Sequence, residues 1–195
     1  MLEMLAAEPG LRERKKRETR DRILTTAFRL FQAQGYEATT LQQIGERADV
    51  APRTVSNYFP QKVDLLVAYR EDMLGVVESE LRRASARPPL ERVRRALIAV
   101  ARANERHPNG RLAQRLLLRH GSYGALDALQ ERFRDDLGSV LAAARRRPGT
   151  DLQLAVLALS AGHLAVIQRW AVRSQGHLAG DVERLVDQWA AGVME

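Results

Sequence analysis

The chain has 195 residues, enough to bury a core, and its 31 Lys plus Arg against 24 Asp plus Glu give a formal charge of +7. It has no cysteine, which excludes disulfide scaffolds, thiolate metal sites and cysteine nucleophiles. The positive balance favours a polyanionic partner, although an Arg-rich surface also arises from composition alone.

In chain order, residues 1 to 10 have no strong pattern, and Pro9-Gly10 predicts a mobile start. Their apolar run is too short for a signal peptide, so the expected location is the cytoplasm. Residues 11 to 22, LRERKKRETRDR, read as a basic arm leading into a helix. Arg14, Lys15, Lys16 and Arg17 are candidates to hold DNA phosphate or enter a minor groove; the alternative is a solvated helix face with ion pairs such as Glu13 to Arg17. Ile23, Leu24, Ala27, Phe28, Leu30 and Phe31 then mark an amphipathic helix that ends at Gly35.

Residues 40 to 62, TLQQIGERADVAPRTVSNYFPQK, spell two short helices joined by a tight turn. Thr40 and Gln43 are spaced as a capping box, and Leu41, Ile44 and Ala48 share one face. Pro52 suits the first position of a second helix, on which Val55 and Phe59 recur at i, i+4. That buries Val55 and Phe59 and turns Arg53, Thr54, Ser56, Asn57 and Tyr58 outward, as a helix entering a major groove requires.

Residues 17 to 66 together resemble the DNA-binding domain of the TetR family of bacterial transcriptional repressors, over RETRDRILTTAFRLFQAQGYEATT and LQQIGERADVAPRTVSNYFPQKVDLL. The resemblance implies that residues 53 to 58 form the recognition helix and that Lys62 opens the next helix and holds phosphate. Arg53, Ser56 and Asn57 are assigned to base edges, and Thr40, Thr54, Tyr58 and Lys62, with the arm cations, to phosphate. Ala51 stands where a capping Ser or Thr is usual in the family, and Ser56 where an aromatic is common.

Beyond residue 62 every periodic segment is helical: about 61 to 86, 89 to 106, 111 to 120, 122 to 147, 150 to 173 and 180 to 194. The fold class is therefore all-α, about nine helices, with a helix-turn-helix domain over 11 to 62 and a larger helical domain over 63 to 195, to which the resemblance assigns effector binding and dimerisation. The helix starting near Gln61 links the two domains mechanically. The run over 152 to 167 approaches the apolarity of a membrane span but falls short of about 20 residues, so a buried helix is expected and no membrane partner.

By resemblance, the larger domain encloses an effector pocket. Met73, Val77, Leu97, Ala101, Leu116, His120, Tyr123, Phe133 and Trp170 are its candidate liners, each also compatible with plain core. His120 and His163 fall on or beside apolar stretches, as satisfied buried histidines or as ligand contacts. The expected effector is small and largely apolar. The resemblance also implies a homodimer through the last two helices, with Ala158, Ala161, Gly162, Ala165, Leu185 and Trp189 at the interface; alternatively these helices complete the monomer core.

No nucleophile with its base, carboxylate pair, metal-ligand spacing or phosphate-cradling loop is evident, so no catalytic residue, metal or cofactor is expected. The expected function is a repressor on a palindromic double-stranded DNA operator, released by a small molecule. A helical ligand-binding protein that does not use its motif, and a nonspecific DNA binder, remain the alternatives.

Overall fold

The computed structural model describes residues 10–120, 124–173 and 175–195, and its regular elements are helices. Among the described residues these are α1 (Leu11–Gln34), α2 (Leu41–Arg47), α3 (Pro52–Tyr58), α4 (Lys62–Arg83), α5 (Pro89–Arg106), α6 (Gly110–His120), α7 (Gly124–Leu141), α8 (Leu152–Val172) and α9 (Leu178–Val193). The predicted mobile start lies almost wholly outside the described residues. The chain divides into two compact units, Met1–Leu65 and Leu66–Glu195, so the division falls within α4.

In the first unit, α1 is one helix from Leu11 onward, so the basic stretch is helical rather than an arm leading into a helix. Its residues are good helix formers and nothing in them breaks the period. Arg14 and Glu18 lie 3.8 Å apart across one turn, and both are exposed. Further on, Ile23, Leu24, Ala27, Phe28 and Phe31 are buried and supply the wall against which the two short helices fold. Gly35 ends α1 at φ 87°, a left-handed conformation that favours glycine.

The second unit is built from amphipathic helices. α5 buries Val93, Ala96, Leu97, Val100 and Ala101 and packs against α9, while α8 packs against α6, α7 and α9. The start of α9 is held from far away: Glu105 on α5 accepts backbone N–H bonds from Leu178 and Ala179. Such a carboxylate satisfies orphan donors and complements the helix dipole.

Two boundaries differ from the sequence reading. α4 stops at Arg83 rather than near residue 86, in a turn closed by the Arg87 N–H to Ala84 carbonyl bond of 2.9 Å. α7 stops at Leu141 rather than near residue 147. The reason is Arg146, which folds back and donates to the carbonyls of Leu141, Ala142 and Ala144 at 2.8, 3.2 and 3.2 Å. It thereby satisfies the helix's open carbonyls from outside. The helix α8, with 21 residues, lies within the expected 150 to 173, but by length and composition it is apolar enough to cross a membrane, beyond the 152 to 167 run read from sequence. It buries Ala155, Val156, Leu159, Ile167 and Trp170 within its own unit.

Candidate nucleic-acid interface and ligand cavity

The capping box at α2 is complete: the Gln43 N–H donates to Thr40 Oγ1 at 3.1 Å, and the Thr40 N–H donates to Gln43 Oε1 at 3.0 Å. The turn between α2 and α3 then reverses at Asp49, with φ 53°, and the Val50 N–H returns to the Gly45 carbonyl at 3.0 Å. Gly45 sets how closely the helices cross, because a Cβ there would sit 3.1 Å from the Val50 carbonyl oxygen and 3.2 Å from a Val55 methyl. Gly45 and Thr39, a buried threonine whose hydroxyl donates to the Gly35 carbonyl at 2.7 Å, are structural residues that the sequence reading passed over.

On α3, Pro52 is in the first turn and Ala51 makes no side-chain cap. Val55 and Phe59 are buried at 0% and 3% exposure, so the opposite face is turned out. Arg53, Ser56 and Asn57 are exposed, and Thr54 and Tyr58 are half-buried. Ser56 Oγ donates to the Pro52 carbonyl at 3.3 Å, and the Tyr58 hydroxyl to the Lys16 carbonyl at 3.3 Å. The latter bond ties α3 to the part of α1 that carries the exposed Arg14, Lys15, Lys16 and Arg17. One surface thus holds both base-reading and phosphate-holding candidates.

Lys62 is not the free surface ammonium that a phosphate contact alone suggests. Its Nζ donates to the carbonyls of Tyr36 at 2.7 Å and Glu37 at 3.2 Å, and lies 4.5 Å from the Tyr36 ring centre. It therefore clamps the loop between α1 and α2. Tyr36 beneath it has its pKa raised by burial, with Glu37 and Asp64 adding to the effect.

In the second unit a polar network is sealed inside. The Tyr69 hydroxyl and Gln114 Nε2 both donate to Asn104 Oδ1, at 2.7 and 2.8 Å, while Asn104 Nδ2 donates to the Val100 carbonyl at 2.9 Å. Burial pushes the Tyr69 phenol well above its ordinary pKa, so it stays a donor.

Beside this network lie two recesses. A small cavity of about 10 Å³ is lined by Arg70, Met73, Leu74, Val77, Val100, Leu129, Phe133 and His163. A larger groove of about 280 Å³ is lined by Arg70, Gln114, Leu117, Leu118, Leu126, Asp127, Gln130, Leu164 and Gln168. Of the predicted liners, Met73, Val77 and Phe133 face the small cavity. Leu97 and Ala101 are fully buried core and Leu116 is nearly so. His120 is half-buried, and Trp170 is covered by Arg111, whose guanidinium sits 4.3 Å from its ring. Tyr123 lies outside the described residues.

His163, weighed from sequence as a satisfied core histidine or a ligand contact, is 2% exposed with its Nε2 unpartnered, and it stacks on Phe133 at 5.5 Å. Burial, helped by the charge of Arg70, lowers its pKa to about 3, so it is neutral. Arg70 was missed, yet a signal existed: it occupies the apolar register of α4 between Leu66 and Met73. Among the described residues no group of three or more His, Asp or Glu comes together to hold a metal.

On α8, Leu154, Leu157 and Val172 are 64%, 49% and 65% exposed, and Ala158, Ala161 and Ala165 are exposed between them. Gly162 instead meets the chain's own Leu185: a Cβ there would lie 3.0 Å from a Leu185 methyl. Trp189 likewise donates its indole N–H to the Ala155 carbonyl of the same chain at 2.9 Å.

Residues 23–69, the stretch containing α2, α3 and their buried supports, match the family model of bacterial regulatory proteins of the tetR family. That stretch is a TetR-family DNA-binding segment. The HTH-type transcriptional repressor KstR of Rhodococcus jostii is 38% identical over 101 residues, which cover 52% of this chain and 48% of that protein. The chain thus spans about half the length of the curated relatives that it matches first. Among solved structures, SmeT, the repressor of a Stenotrophomonas maltophilia multidrug efflux pump, superposes with a TM-score of 0.75 at 26% identity, covering 90% of each chain. FadR of Thermus thermophilus, a TetR-family repressor solved with lauroyl-CoA, does so with a TM-score of 0.67 at 25% identity, covering 89% of this chain and 94% of its own. The TetR-family fold therefore extends through the helical body, well beyond the matched DNA-binding stretch.

Proposed function

We propose that this chain is a cytoplasmic, homodimeric transcriptional repressor of the TetR family that holds a palindromic operator and is released by a small molecule bound in its helical body. The observation that carries the reading is the outer face of α3. Arg53 and Asn57 are exposed, rigidly backed by buried Val55 and Phe59, and make no hydrogen bond or ion pair with other described residues. Side chains fixed at their base and idle at their tip suit base edges. Ser56 joins them, while Thr40, Thr54, Tyr58 and the cations Arg14, Lys15, Lys16 and Arg17 hold phosphate. Lys62 spends two donors on its own loop, and its third N–H serves phosphate in place of the exposed Glu37 carboxylate 4.0 Å away.

Homodimerisation is supported by the outward stripe of α8, where Leu154, Leu157 and Val172 leave apolar surface that a second copy covers. Ala158, Ala161 and Ala165 make that stripe flat, while Gly162, Leu185 and Trp189 reach it by bracing α8 against α9. The recesses around Arg70 support an effector, and the lauroyl-CoA bound by the Thermus FadR supports the same use of this fold.

The test is to incubate the purified chain with fragments of its own genome at near-physiological salt and sequence what is retained. Enrichment of a palindrome with half-sites about one helical turn apart is expected. Retention without a common site would make it a nonspecific binder, and no retention would move the function to the helical body.

A further inference from the structure

We infer that the effector of the repressor proposed above carries a single carboxylate head, read by Arg70 together with His163. The inference rests on that reading of the helical body. It starts from a charge in the wrong place: Arg70 stands in the apolar register of α4, half-buried, and lines both the small cavity and the groove. Its side chain donates to a neutral amide, Gln130 Oε1, at 2.7 Å, and no carboxylate lies within 4 Å of it among the described residues. Two other sheltered cations of this unit are compensated: Arg94 pairs with Glu91 and Asp187, and Arg111 donates to the carbonyls of Trp170 and Arg173; Arg92 donates to the Leu81 carbonyl but leaves its Nε unpartnered, away from both recesses. Even a half-buried guanidinium without an anion costs desolvation that a bound anion would offset.

The second deficit lies beside the first. His163 lines the same cavity, is 98% removed from solvent and has no partner for Nε2. A neutral imidazole with a protonated Nε2 donates one hydrogen bond. One carboxylate satisfies both groups: one oxygen takes the guanidinium fork, the other the His163 N–H. The rest of such a ligand has an apolar bed along Leu117, Leu118, Leu126 and Leu164 in the groove. Asp127, exposed at the mouth, disfavours a ligand that carries further negative charge toward solvent. A free acid therefore fits better than its polyanionic coenzyme A thioester.

The experiment is calorimetric titration of the full chain with octanoate and benzoate, with their amides, and with octanoyl-coenzyme A. The acids are expected to bind about 10- to 100-fold more tightly than the amides, and octanoate more tightly than its thioester. Arg70→Gln should bring the acids down to the level of the amides, and Arg70→Lys should keep part of the preference. Equal binding of acid and amide, no binding of either acid, or a preference that survives Arg70→Gln overturns the inference. If Arg70→Gln does not fold, the unaltered chain and Arg70→Lys still decide. Operator release measured in parallel separates the two readings. An acid that binds through Arg70 without loosening DNA sinks the effector reading alone, whereas neutral compounds that release DNA while acids fail to bind sink the head-group inference alone.

Discussion

In the DNA-binding unit the polar side chains of α3 point outward and hold almost nothing of their own chain, whereas in the helical body Tyr69, Asn104 and Gln114 point inward and hold one another. The two arrangements separate recognition from stability. Arg53 and Asn57 can change without disturbing the core beneath them, because Val55 and Phe59 carry the packing. In the body the Asn104 network is matched, whereas His163 Nε2 is left open and Arg70 meets an amide rather than an anion. A matched group then marks structure, and an open one marks a place for something else.

Substitutions test this contrast. The largest effect is expected at Gly110, where an added Cβ would sit 2.0 Å from the Asn104 carbonyl oxygen. Since backbone has to move, Gly110→Ala should cost about 3 kcal/mol or more in urea unfolding. Asn104→Ala removes the acceptor shared by Tyr69 and Gln114 and should cost about 2–3 kcal/mol by the same measurement. Arg53→Ala should leave unfolding unchanged yet weaken operator binding by about 1–3 kcal/mol, with preference relaxed at one base pair in a binding-site selection. A stability loss there would end the separation of recognition from core.

The next effect is a pH dependence. The pKa of His163 is lowered from 6.5 to about 3 in the folded chain, facing Arg70 and Phe133, so the unfolded chain binds the extra proton between these values. Its neutral form supports the fold fully above the unfolded value, and that support is lost progressively as pH falls below it. From about pH 7 to about pH 5.5 the loss should be about 1 kcal/mol, and His163→Leu should flatten that part of the stability curve. Smallest is the cap: Ala51→Ser should stabilise the DNA-binding unit by about 0.5–1 kcal/mol in thermal unfolding.

Legibility in the sequence followed the range of the interactions. The capping box of Thr40 and Gln43, the Pro52 start of α3 and the buried pair Val55 and Phe59 are local, and each was read from spacing within a few residues. The end of α7 was not, because Ala142, Ala143 and Ala144 are good helix formers and only the returning Arg146 satisfies the carbonyls that end the helix. The basic stretch of α1 was read as an arm because its charge says nothing about backbone conformation. Lys62 was read for its charge, whereas the carbonyls of Tyr36 and Glu37 that claim it lie 26 and 25 residues earlier. Arg70 was missed because periodicity was sought in apolar residues only, and a cation in the same register carries no weight in that search. Its meaning depends on Gln130, 60 residues away.

The cap that Glu105 places on α9 has a consequence for the newly made chain. Its partner Leu178 follows 73 residues later, which at ordinary translation speeds is a wait of about 4–15 seconds. During that interval the part of the α5 face that α9 covers is unmatched and the Glu105 carboxylate is unclaimed. The last helix therefore docks as the closing step, and a pause in synthesis within that stretch would prolong the time when α5 is open to chaperones or to aggregation.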